Sequence, residues 1–227
     1  MLTPEEMDAL QLSLKVAFCA TLISIPFAIA AAFALSRLRF PGRSLLDSAV
    51  HLPLVLPPVV TGYLLLLTFG RRGPVGQLLE AHFGIVLSFR WTGAVLAAAI
   101  MGFPLLVRSV RLSMEAVDRR YEQAAGSLGA SPLWVFLTVT LPLTLPGIIA
   151  GAILAFAKAL GEFGATITFV SAIPGETRTI PAAIYGYVQT PGADGSAMRL
   201  AVLAALVSIV ALAASEAMAR RMSLRGA

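Results

Sequence analysis

The chain has 227 residues, of which 58% are hydrophobic and only 13% charged, and its mean hydropathy is +0.85. A soluble domain carries about 25% charged residues, so this composition excludes a single water-soluble core and makes membrane lipid the solvent for much of the surface. The net charge of +5 does not indicate a nucleic-acid partner, because the arginines cluster at the ends of apolar runs, where membrane proteins hold them.

The leader Met1 to Asp8 carries Glu5, Glu6 and Asp8. A cleaved signal peptide has positive charge there, so the first apolar run is expected to be retained. Roughly 20 mostly apolar residues cross about 30 Å of hydrocarbon, and Leu10 to Leu35 is the first such run. Lys15 near its start can snorkel to the interface. Cys19 lies inside this run and is the only cysteine, which rules out an intramolecular disulfide and reads as a small buried hydrophobe.

Ser48 to Phe69 is the second expected span, free of acids, lysine and arginine. Pro53, Pro57 and Pro58 interrupt its hydrogen bonding, which a bundle tolerates where neighbours re-satisfy the freed groups. A flexible pore-facing helix and a packing kink both fit these prolines. The third span runs from Trp91 to Val107 and reaches about 110, with Trp91 as an interfacial anchor. The fourth starts at Leu141, reaches Leu160 and continues to about 165. The fifth is Leu200 to Ala219, ending at Arg220 and Arg221. His51 and His82 have no ligand-like spacing, so neither a metal site nor a cofactor is expected.

Two connections are too long to be turns. One covers about residues 112 to 139: Leu112 to Leu128 is charged and helix-favouring, Gly129 and Ser131 break it, and Pro132 opens a second short helix. The other, Ile173 to Met198, is punctuated by Pro174-Gly175, Pro181 and Pro191-Gly192. Between these turn signals, Ile180 to Val188 reads as a short interfacial or re-entrant helix.

Lysine and arginine bias sets orientation. With the amino terminus outside, the inner segments hold Arg37, Arg39, Arg43, Arg108, Arg111, Arg119, Arg120, Arg220, Arg221 and Arg225. The outer segments then hold Arg71, Arg72, Arg90, Arg178 and Arg199. This ten-to-five ratio favours an all-α membrane protein of five spans, with the amino terminus out and the carboxyl terminus in.

The chain lacks the phosphate-cradling pattern G-x-x-x-x-G-K-S/T, a G-x-S-x-G nucleophile turn and an H-E-x-x-H zinc pair. It is therefore not expected to be an enzyme, and nucleotide hydrolysis would belong to a separate subunit. Lys158 and Glu162 are the intramembrane charges away from span ends, spaced i, i+4 on one helix face. Two readings stay open: a charge pair by the conduction path, or a neutralised pair at a helix break near Gly161 and Gly164. The alanine-rich stretches Ala28 to Ala34 and Ala94 to Ala99 permit close helix packing.

The connection around residue 130 carries a resemblance. Gln123-Ala124-Ala125, three residues, Gly129, nine residues, then Val139-Thr140-Leu141-Pro142 is similar to the signature loop of ABC importer permeases. That family's pattern is Glu-Ala-Ala, three residues, Gly, nine residues, Ile-x-Leu-Pro. Gln123 stands at the Glu position and Glu122 lies one residue early. His51 to Val60, Leu160-Gly161-Glu162-Phe163-Gly164-Ala165-Thr166 and Ile173 to Pro181 resemble the molybdate branch of that family. Some members have an additional amino-terminal span, and this chain is expected to begin after it.

The resemblance implies an ABC importer permease fold in a bacterial inner membrane. It implies a homodimer around a central pore, two ATP-binding-cassette ATPase subunits, and an external oxyanion-binding protein. Glu122, Gln123, Ala124, Ala125, Gly129, Trp134, Leu141 and Pro142 then belong to the ATPase-coupling loop, and Lys158, Gly161, Glu162 and Gly164 to the translocation path or gate. Molybdate is the expected cargo, with tungstate or sulfate/thiosulfate as alternatives and a secondary ion-coupled transporter as the reading from another class. A short coupling helix is expected near Gly126 to Phe136, with Leu128, Leu133, Trp134 and Phe136 offered to a partner's groove. Trp134 also has a second reading, against lipid headgroups.

Overall fold

The computed structural model describes residues 2–223; Arg225, assigned above to the inner side, lies outside the described residues. Among those residues every regular element is helical. Helix α1 (Pro4–Arg37) is about 50 Å long at 1.5 Å per residue. It starts within the acidic leader: Thr3 caps the Glu6 amide while the Glu6 carboxylate accepts from the Thr3 amide, a reciprocal capping box with Pro4 at the first helical position.

The expected second span is not one helix. It is α2 (Arg43–Val55) followed by α3 (Pro58–Phe69), bent by 115°. Pro53 is absorbed inside α2, whereas Pro57 and Pro58 are adjacent. Together they delete two amide donors and push Leu56 and Pro57 to extended ψ values of 141° and 133°. A kink is therefore corrected to a break. Helix α4 (Pro74–Phe83) follows, for which the sequence reading has no counterpart.

Helix α5 (Trp91–Ala116) runs nine residues beyond Val107, because Val110 and Met114 remain buried on its inner face. The long connection thus begins at Val117 and contains α6 (Arg119–Ser127). The helix of this connection is α6, and the segment Gly126 to Phe136, where a short helix was expected, straddles a turn. Nor is the helix opened by Pro132 a short one. Helix α7 (Pro132–Val135), a π-helical turn (Phe136–Thr140) and α8 (Leu141–Leu160) form one continuous rod from Pro132 to Leu160. It ends before 165; the chain breaks and restarts as α9 (Gly164–Val170). Helix α10 (Ile180–Val188) has the expected limits, and α11 (Asp194–Ser223) closes the bundle. Four helices are long and apolar enough to span, or five spans if the α2–α3 pair counts as one.

The packing inverts the soluble pattern. On α1 the buried face is Ala17, Ala20, Ala28 and Ala32, while Phe18, Leu22, Ile23 and Phe27 point outward. Lipid tails solvate the large side chains, so helices associate through small residues that let backbones approach. Helix α5 is the hub, packed on both α1 and α8. Against it, Gly147 and Gly151 of α8 sit where a Cβ would collide with Ser113 and Ser109, and Ser109 Oγ donates to the Gly147 carbonyl at 2.9 Å.

One end of the bundle gathers the ends of α1 and α5 with α6; the other gathers the starts of α1, α5 and α11 with α10. At the α10 end, Arg178 meets Glu5 at 3.4 Å and Arg199 meets the fully buried Glu6 at 2.7 Å. Buried Ser13 accepts the Ile180 amide at 2.7 Å, anchoring α10 to α1.

Candidate functional site

The residues singled out from sequence form two groups at opposite ends of the Pro132–Leu160 rod, roughly 40 Å apart by helix rise. The structure does not bring them into one site; it joins them by one rigid element.

The first group is the α6 loop. Asp118 caps α6 through the Arg120 amide at 2.9 Å. Helix α6 stops in a Schellman-type turn: the Ala130 amide donates to the Ala125 carbonyl at 3.2 Å, and the Gly129 amide to the Gly126 carbonyl at 3.0 Å. Gly129 holds φ +89° there, with nothing within 4 Å of an added Cβ. Glycine is needed at this position for backbone conformation, not for space. Ser131 then caps α7 through the Trp134 amide. The turn presents Leu128 at 88% exposure, Leu133 at 68% and Trp134 at 61%. A cluster of large apolar side chains on a polar loop is the composition of a protein contact.

Gln123 and Ala124 are exposed and Ala125 is half-buried. Glu122 points inward: its carboxylate accepts from Arg37 Nη2 at 2.9 Å and from the Thr140 hydroxyl at 2.8 Å. Leu141 packs with Phe136 in the core beside α1. Pro142 lines a cleft of about 760 Å³ with Val117, Asp118, Tyr121 and Thr138. Sequence reasoning missed Arg37, counted only as a topology charge, and Thr140, whose partner is 18 residues away.

The second group is the break after α8. Gly161 ends the helix, and Glu162 and Phe163 lie between it and Gly164, the first residue of α9. Glu162 is 2% exposed. One carboxylate oxygen accepts from Lys158 Nζ at 3.0 Å and the other from the Ala165 amide at 2.9 Å, so the side chain both pairs with a cation and caps α9. Gly164 permits close approach: a Cβ would lie 2.7 Å from Pro58 Cβ at the start of α3. Gly62 of α3 packs on Ala165 in the same way. The break in the α2–α3 pair and the break after α8 therefore meet face to face. Gly161, by contrast, has open space, the nearest atom being 3.8 Å from an added Cβ. Among the described residues no cluster of metal-ligating side chains occurs.

A bundle of apolar helices long enough to span, with a structured loop at one end and broken helices at the other, defines an all-helical membrane protein. The model of the family described as binding-protein-dependent transport system inner membrane component matches residues 24–224, and the chain belongs to that family. It is 59% identical over 220 residues to the molybdenum transport system permease protein ModB of Escherichia coli (strain K12), covering 97% of this chain and 96% of the relative. It is 54% identical over 217 residues to the protein of the same name from Haemophilus influenzae, covering 96% and 95%. The structure of a bacterial ABC transporter involved in import of the acidic polysaccharide alginate matches with a TM-score of 0.74 at 16% identity, over 96% of this chain and 80% of that one. That likeness concerns the fold.

Proposed function

We propose that this chain is the pore-forming permease subunit of an ATP-driven importer that carries molybdate across the bacterial inner membrane. The 59% identity to a molybdenum permease over nearly the full length of both chains carries this reading. Two copies enclose the pore, each docked through its α6 loop on one ATP-binding-cassette ATPase, and an external binding protein delivers the oxyanion. The exposed Leu128, Leu133 and Trp134 support the docking role, since interface energy concentrates in a few large anchors.

The orientation is amino terminus out. Beside the arginine bias, it is supported by the grouping of Glu5 and Arg178 at one end and of Arg37, Arg43 and α6 at the other. The chain itself is non-catalytic. The Gly161–Gly164 break belongs to the translocation path or its outer gate, a reading supported by its contact with the α2–α3 break. Irregular backbone at membrane depth is tolerated where it is buried in protein or lines a cavity.

The test is reconstitution of the permease with its ATPase and binding protein in vesicles. Molybdate is expected to stimulate ATP hydrolysis and to accumulate with the binding protein present. Stimulation by sulfate and not by molybdate would overturn the cargo assignment.

A further inference from the structure

At the α6 end three elements converge on one carboxylate. Glu122 takes Arg37 Nη2 at 2.9 Å and Arg37 Nε at 3.1 Å from the last turn of α1, and the Thr140 hydroxyl at 2.8 Å from the π-helical turn. Arg37, whose side chain is only 9% exposed, also donates to the Val117 carbonyl at the end of α5. One turn back, Phe33 meets Phe136 edge to face at 5.0 Å, so α1 touches the π-turn directly there and reaches it again through Glu122. The π-turn closes with the Leu141 amide on the Phe136 carbonyl, and Thr140 is buried. Such turns hold one residue more than an α-turn and recur at functional sites.

The neighbouring Gln123 faces outward, as do the large apolar side chains of the loop. Residues that can meet a partner and the residue that grips the spans are thus different ones.

We infer that Glu122 is a positioning residue for coupling: it transmits displacement of α6 to α1 and to the π-turn of the long rod, and it does not itself contact the ATPase. The inference rests on the importer reading above. A push on α6 moves its only half-buried acid, and the ion pair and the hydroxyl bond carry that movement into two spans. Gly129 and the exposed anchors hold the partner, and Glu122 converts the hold into motion of the membrane helices.

The experiment uses the complete complex with its ATPase and binding protein, in vesicles. Glu122→Gln keeps an acceptor for Thr140 and loses the charge that holds Arg37. The ATPase is expected to co-purify and hydrolysis to continue, while molybdate moved per ATP falls by about tenfold, the scale of a coupling change. Arg37→Gln is expected to give the same uncoupling, and the double variant no further loss, because both remove one contact. Glu122→Asp is expected to recover part of the transport. Should Glu122→Gln fail to accumulate in the membrane, Arg37→Gln and Thr140→Val each cut one arm of the same contact and carry the same expectation. Loss of the ATPase on purification of Glu122→Gln would overturn the inference by making Glu122 a docking contact, and so would normal transport per ATP. A wild-type complex indifferent to molybdate would instead overturn the importer reading.

Discussion

The Lys158–Glu162 pair permits a sharp thermodynamic test. The Glu162 side chain is 1% exposed and that of Lys158 is 33% exposed. Removing one partner of a buried pair costs about 3–5 kcal/mol, since an uncompensated charge remains. Lys158→Met does this in full, because the carboxylate cannot reach solvent and keeps only the Ala165 amide. Glu162→Ala is milder, at about 2–3 kcal/mol including the lost cap, because the lysine can swing outward. Replacing both, as Lys158→Met with Glu162→Gln, leaves no charge and keeps an amide oxygen for the α9 cap. That variant is expected within about 1–2 kcal/mol of wild type. Thermal unfolding of the purified complex in detergent gives the order: double variant, then Glu162→Ala, then Lys158→Met. Double and single Lys158 variants of equal stability would refute the reasoning. Uptake in the same variants separates structure from gating: a double variant that is stable but silent requires the charge itself for transport.

The remaining expectations are simpler. Gly62→Ala places a Cβ 2.5 Å from the Ala165 carbonyl oxygen and should cost about 1–3 kcal/mol by overpacking α3 against α9. Gly161→Ala, with open space, is the control and should leave thermal unfolding unchanged. Gly129→Asp should keep the chain in the membrane but abolish uptake, by detaching the ATPase or by letting hydrolysis run without transport; co-purification of the ATPase with wild-type uptake would refute the coupling role. Trp134→Ala should leave the melting temperature unchanged, because the ring is exposed, but weaken ATPase co-purification by about tenfold or more, as loss of an anchor does. With Cys19 replaced, single cysteines at positions 5 and 176 should react with an impermeant thiol reagent in intact cells and one at 43 should not; the reverse labelling would sink the topology.

Composition and hydropathy sufficed to place this chain in lipid, since no arrangement of so few charges could cover it with water-exposed surface. Local chemistry was equally legible. The helix from Ile180 to Val188, the turn at Gly129 and the pairing of Lys158 with Glu162 all depend on neighbours within a few residues, whereas the break at Gly161 to Gly164 was legible only as one of two readings, beside a span continuing to about 165. The signature spacing through Leu141-Pro142 also identified the family, because that loop is one contiguous stretch. The sequence reading failed where the outcome depended on distant contacts. Pro53 and Pro57-Pro58 look alike in a list of prolines, yet one is absorbed by α2 and the others turn the chain by 115°, with α3 seated on α9 through Gly62. A polar leader gave no sign that Glu6 would be fully buried against an arginine 193 residues away. Nor did the one-residue offset between Glu122 and the family pattern show that this acid turns inward, to Arg37 and Thr140. Sequence alone determined solvent, local turns and family. That Glu6 and Glu122 turn inward, and against what, was decided only in the tertiary structure, because an acid turned into a bundle needs a partner, and for these two folding brings a cation from far along the chain.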